Sequence, residues 1–186
     1  MVADPTPLGL AGFSSIVLMV SMHYAKIITS IGWIAPLGLM AGLSLLLGSI
    51  YHFISNNTIP ATTFGIYGTF WLSVAILVFT NLVSLDKLDG TITYMRICVA
   101  IFTFYVWIVS FFISKVSLCI FTTLECKLIF FISGYFSQND TIYMIGGCFG
   151  IICALLGFYT SASLLLKPFI YLPLGKPVLK SRIVPN

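Results

Sequence analysis

The chain has 186 residues, 59% of them hydrophobic and 8% charged, with a formal net charge of +4 and a mean hydropathy of +1.09. A soluble domain carries about 25% charged residues, so a soluble fold is excluded, and the basic residues are too scattered to form a nucleic-acid face. The five cysteines, Cys98, Cys119, Cys126, Cys148 and Cys153, lie in apolar stretches without a CxxC pair or a nearby histidine, so they read as packing residues and imply no metal or cofactor.

A bilayer core takes about 20 apolar residues per helix. The chain supplies six such runs, Pro7–Ile28, Ile34–Ile54, Ala61–Val83, Thr91–Ser114, Val116–Tyr135 and Ile142–Leu166. The expected fold is an all-α membrane protein, one six-helix transmembrane domain over residues 1–186. The first residues lack a basic leader and a cleavage site, so no signal peptide is expected.

Helix one opens with Asp4-Pro5-Thr6-Pro7-Leu8-Gly9-Leu10. Two prolines set an extended approach, and Pro7 suits the first helical position, where a missing N–H is harmless. The free N–H groups of such a start attract anions. Two readings stand, a carboxylate-holding site or a capped helix without ligand. His23 and His52, near the ends of helices one and two, read as hydrogen-bonded interface residues. Gly38 with Gly42, and Gly146 with Gly150 and Gly157, are spaced for close helix packing and for subunit contacts.

In helix three, Thr63, Tyr67 and Phe70 share a face. That face either lines a narrow, partly wet path or bonds its hydroxyls back to its own helix. In helix five, Glu125 and Lys127 lie mid-membrane, where each charge costs about 2.5–3.5 kcal/mol. Two positions apart, they point about 200° from each other, so each needs its own partner. Arg96 in helix four is a candidate to approach one of them, as part of a relay or of a structural pair. Lys115 is the weakest break between runs. Lys115, Lys167, Lys176, Lys180 and Arg182 fall on the side of the termini, against Lys26, Lys87 and Arg96 on the other. This places both termini in the cytoplasm. No Ser/His/Asp set or paired carboxylates suggest an enzyme.

Several separated motifs carry a resemblance. Asp4–Leu10 resembles the signature Asn-Pro-Ala-Pro-Leu-Gly-Leu. Asn57-Thr58 and Tyr67-Gly68-Thr69-Phe70-Trp71-Leu72-Ser73 resemble a second block, and Ile101–Phe104 and Leu172–Gly175 follow in order. The family they resemble is the acetate uptake transporters, also called the GPR1/FUN34/YaaH or succinate–acetate transporter family. The resemblance implies a ring-shaped hexamer with a path inside each subunit. It also implies passage of acetate and other small monocarboxylates, sometimes succinate, by proton-linked transport. The partners it implies are the carboxylate substrate, the lipid bilayer and five further copies. It places an apolar constriction at Phe13, Tyr67 and Leu124. The matched motifs make Asp4, Pro5, Pro7, Leu8, Gly9, Leu10, Thr63, Thr69 and Trp71 substrate-binding candidates. Glu125, Lys127, Arg96 and His52 are candidates for a charge or proton relay.

The chain departs from the family pattern in six places, one being a segment between Tyr159 and Leu172 that is a few residues shorter. Asp4 stands for the signature's Asn, Leu45 for a common glutamine and His52 for an acidic residue, while Glu125 and Lys127 occupy positions that are mostly uncharged. The expected location is a plasma membrane. The alternatives are a channel for a neutral solute such as acetic acid, urea or ammonia, and a non-transporting sensor or assembly protein.

Overall fold

Six α-helices follow one another: α1 Thr6–Tyr24, α2 Ile34–Ile54, α3 Thr58–Phe79, α4 Leu85–Ser110, α5 Lys115–Ser137 and α6 Asp140–Leu166. The computed structural model describes residues 3–179, so Lys180 and Arg182 of the orientation argument lie outside the described residues. Each helix is long and apolar enough to cross a membrane. They alternate in direction and close into a ring in chain order. α1–α2, α2–α3, α4–α5, α5–α6 and α6–α1 pack closely, and a lighter α3–α4 contact completes the ring. We call the end holding Asp4 proximal and the end holding Tyr24 distal.

The boundaries differ from the sequence reading where caps override hydropathy. α1 starts at Thr6, one residue early, and stops at Tyr24 rather than Ile28. There the chain turns through Lys26 at φ 59°. α3 starts at Thr58 rather than Ala61, which puts Pro60 in the first turn, where a missing N–H breaks nothing. It ends at Phe79 rather than Val83, ahead of Asn81 at φ 48°. α4 starts six residues earlier than Thr91 and stops at Ser110, so Asp89 is helical rather than part of a loop. Ser114, extended at φ −162°, caps α5 by accepting from the Ser117 N–H. Asn139 does the same for α6 from Thr141 N–H. These side chains satisfy donors that a helix start leaves free.

The glycine stripes lie inside the protomer. A Cβ on Gly38 would stand 3.1 Å from the Ala75 side chain in α3, and one on Gly147 would stand 2.7 Å from the Ser21 carbonyl oxygen in α1. Gly146 meets Phe131, and Gly150 and Gly157 meet Ser21 and Ser14. The expectation that the stripes also serve subunit contacts is therefore corrected. Small residues let α2–α3 and α1–α6 approach closely, and that approach uses up the glycine faces. The outward faces carry large apolar side chains instead, such as Leu43, Ile50 and Phe53 on α2 and Ile101, Phe104 and Ile108 on α4.

Candidate functional site

Because α3 and α4 touch lightly, the middle of the ring is hollow. Two cavities fill it. The proximal one, about 580 Å³, is walled by Thr6, Leu10, Thr63, Ser114, Ser117 and Leu174 among others. The distal one, about 230 Å³, is walled by Val17, Trp71, Asp89, Arg96, Leu124 and Lys127 among others. The two share Phe13 and Tyr67. These two rings lie 5.6 Å apart, centroid to centroid, tilted by 47°. Both are buried, as is Leu124 on the distal side. Phe13 on α1 and Tyr67 on α3 thus border both cavities, and Leu124 on α5 lines the distal one.

Tyr67 is held from behind. Its ring stands edge-on to Phe102 at 5.7 Å, and its hydroxyl lies 2.8 Å from Thr103 Oγ1. Thr103 donates its own proton to the Val99 carbonyl at 2.7 Å, so Tyr67 is the donor in the shared bond. The Tyr67 proton is thereby already in use within the protomer. Tyr67→Phe should lower stability by about 1 kcal/mol, the net worth of one such bond, and leave size selectivity unchanged. Parallel thermal melts and flux assays check this. A loss of acetate flux beyond tenfold per folded protein would instead place the hydroxyl on the solute.

The start of α1 holds an anion of its own. Asp4 Oδ1 accepts from the Thr6 N–H at 2.9 Å and from the Thr6 hydroxyl at 2.5 Å. The Asp4 carboxylate thus satisfies one free N–H of that helix start, as the capped reading requires. The other signature residues divide by helical phase. Leu10 lines the proximal cavity, Leu8 is 53% exposed, and Gly9 packs against the Phe64 ring. The Pro5 carbonyl accepts from Gly9 N–H, and the Pro7 carbonyl accepts from the Ser161 hydroxyl at 2.7 Å. On α3, Thr63 lines the proximal cavity, and Phe70 and Trp71 the distal one. The Thr63 hydroxyl bonds back to the Ile59 carbonyl. Thr69 is exposed and bonded to Gly65 and Ile66 carbonyls, because two positions from Tyr67 is more than half a turn away. Its candidacy as a substrate contact is corrected on that ground.

The charged candidates separate as well. His52 packs its ring against Phe64, with Nε2 3.2 Å from Thr6 Oγ1, and lines neither cavity. Glu125 is half-buried, lines neither cavity, and its Oε2 has no hydrogen-bond partner among the described residues. Arg96 and Lys127 both line the distal cavity. Arg96 does not approach Glu125; its Nη1 lies 3.1 Å from Asp89 Oδ1. A continuous Glu125–Lys127–Arg96 relay is therefore not assembled within the protomer.

The sequence reading missed the cluster that holds Arg96. Asp89 accepts from the Tyr24 hydroxyl at 2.5 Å and the Tyr143 hydroxyl at 2.7 Å. Arg96 Nη2 donates to the Tyr24 oxygen at 2.9 Å. These bonds join α4 to α1 and α6, which it does not otherwise pack against. The signal was available: Asp89 and Arg96 are seven apart, two turns on one helix face. Starting α4 at Thr91 left Asp89 in a loop and hid it.

A family model described as the GPR1/FUN34/yaaH family matches residues 1–175. The chain is 30% identical over 176 residues to the meiotically up-regulated gene 86 protein of Schizosaccharomyces pombe, spanning 85% of this chain and 57% of that protein. It is 26% identical over 161 residues to the succinate-acetate/proton symporter SatP of Escherichia coli, spanning 84% and 85%. Its backbone matches the bacterial acetate channel SatP with a TM-score of 0.85 at 23% identity, covering 94% of this chain and 100% of the other.

Proposed function

This chain belongs to the GPR1/FUN34/yaaH family, and on that footing we propose that it carries acetate and other small monocarboxylates across a membrane through a path inside each protomer. The observation that supports this most is the pair of cavities meeting at Phe13 and Tyr67. An apolar gap of that kind sheds water and stops hydrated ions, while a small acid passes when the rings part. The symporter relative supports proton linkage and succinate as a further solute. Radiolabelled acetate flux into proteoliposomes, with and without a pH gradient, tests the reading. Absent flux under both conditions overturns it, and methylammonium flux in its place favours the neutral-solute alternative.

The proposed orientation puts the proximal end in the cytoplasm of a plasma membrane. Lys115, Lys167 and Lys176 lie on that side. Lys26, Lys87 and Arg96 lie on the other, so the excess that supports this orientation comes from Lys180 and Arg182 in the sequence count. The proposed assembly is a ring of six, supported by the family resemblance and by the broad apolar outward faces of α2 and α4. Native mass measurement should give six copies, and a stable monomer that transports would overturn the ring.

Asp4 is exposed and bonded to Thr6, which lines the proximal cavity, and on this reading its charge meets arriving anions. Asp4→Asn keeps a good capping group and removes that charge. Acetate flux near neutral pH should rise about two- to fivefold, the equivalent of ~0.3–1 kcal/mol at a helix start, and depend less on low pH. An unchanged pH profile would make Asp4 a cap alone.

A further inference from the structure

Among the described residues, Lys127 is a charged side chain on the cavity wall with no counter-charge paired to it. It lies on α5 one turn after Leu124, so both face the distal cavity. It is 4% exposed, and its ammonium stands 5.4 Å from the Phe131 ring centroid. Among the described residues no acceptor hydrogen-bonds it. The acidic side chains described are held elsewhere. Asp89 is shared by Arg96, Tyr24 and Tyr143, and Asp140 pairs with Lys26. Asp4 caps α1 at the far end, and Glu125 points away on the other face of α5. A buried ammonium without an anion is expensive to maintain, so the cavity it faces is a place for one.

The rest of the wall says what kind of anion. Val17, Val20, Leu124, Leu128 and Phe131 line the same cavity with apolar surface, the usual make-up of a small-molecule site with few polar anchors. The volume of about 230 Å³ is several times the ~30 Å³ share of one water, enough for an acid of a few carbons. Arg96, the second cation on the wall, is already engaged by Asp89. One free cation in an apolar pocket matches one carboxylate with a short apolar tail.

We propose that Lys127 anchors the carboxylate of a small monocarboxylate in the distal cavity, just beyond the constriction, and that this single anchor makes the protein bind monocarboxylates in preference to dicarboxylates. The proposal rests on the transport reading and adds the binding group and its selectivity. A second carboxylate in this pocket finds no further free lysine or arginine, since Arg96 is engaged by Asp89, and Asp89 on the same wall opposes a second negative charge; His23 is a further polar group it would meet. Ammonium and other cations are repelled by the same lysine.

The test uses the full chain purified in detergent, with thermal unfolding followed as acetate, propionate or succinate is titrated. A ligand that binds the folded state raises the melting temperature in a saturable way. Acetate and propionate should do so, and succinate should need about tenfold more. Equal midpoints for acetate and succinate would overturn the selectivity, and this arm needs no variant. Lys127→Met fills similar space without charge. It should unfold no earlier than wild type without ligand and should weaken acetate binding by about tenfold or more, as loss of a charge-assisted hydrogen bond requires. Lys127→Arg should retain binding. A Lys127→Met protein that binds acetate like wild type overturns the site. So does one that melts well below wild type with its acetate response intact, since the lysine is then structural. Acetate flux separates this inference from its premise. Wild-type protein that binds acetate through Lys127 and moves none keeps the site and fails the transport reading. Wild type that moves acetate with the same KM as Lys127→Met keeps the transport reading and fails the site.

Discussion

Phe13→Ala and Leu124→Ala should each raise the flux of bulky acids far more than that of acetate. Benzoate or succinate flux relative to acetate should increase by about tenfold or more, because an apolar gap gates by width and dewetting. The geometry supports this. Phe13 and Tyr67 separate the two cavities, and Leu124 stands beside them from α5. Truncating Phe13 joins space that already exists on either side, and truncating Leu124 widens the distal space beside it. The same geometry sets the stability cost. A buried Phe or Leu truncated to alanine costs about 2–5 kcal/mol when it leaves a new void. Here each side chain already borders a cavity and loses fewer contacts, so the lower end of that range is expected. Acetate, succinate and benzoate fluxes measured in parallel and normalised to folded protein check the prediction. Variants that lose stability while keeping the wild-type flux ratios would make these residues packing groups and no more.

Asp89→Ala should be the most damaging single change at the distal end, lowering stability by about 3 kcal/mol. Arg96 is 7% exposed at its side chain, and Asp89 is 39% exposed. Removing the carboxylate leaves a buried guanidinium uncompensated, a change that costs about 3–5 kcal/mol in protein interiors. The exposure of Asp89 puts this site at the low end. It also takes the acceptor from Tyr24 and Tyr143 and so unties α4 from α1 and α6. The double variant Asp89→Ala/Arg96→Met should recover much of the loss, because it removes the orphaned charge along with its partner. Chemical or thermal unfolding of the two single variants and the double variant gives the coupling directly. Additive losses, or an Asp89→Ala protein as stable as wild type, would mean that the cluster does not brace the ring.

The number and order of the helices were legible in the residues, because lipid imposes one severe requirement. Every backbone polar group must be satisfied within the segment, so a span must be a helix of about 20 apolar residues. That requirement is local, and 59% hydrophobic composition with polar breaks between runs expresses it. Starts and stops were less legible. They depend on caps such as Ser114 and Asn139 and on left-handed turns such as Lys26, which hydropathy does not register.

Which face of each helix turns inward was a different kind of question. In a soluble bundle the polar stripe faces water and reveals the inward face. Here both lipid and protein interior are apolar, so periodicity distinguishes the two weakly. That is why Thr69 and Thr63 looked alike in the sequence, yet one lies outside and the other on the proximal cavity. It is also why the glycine stripes on α2 and α6 did not reveal that they serve contacts within one protomer. The residues by themselves determined a six-helix membrane protein, its family resemblance and the apartness of Glu125 and Lys127, since these follow from local spacing and the cost of burying polar groups in lipid. Only the tertiary structure decided that Tyr24, Tyr143 and Arg96 converge on Asp89, and that Lys127 faces a cavity where none of the described acidic residues pairs with it. Both depend on side chains from helices far apart in the chain arriving at one point, and local sequence carries no record of that meeting.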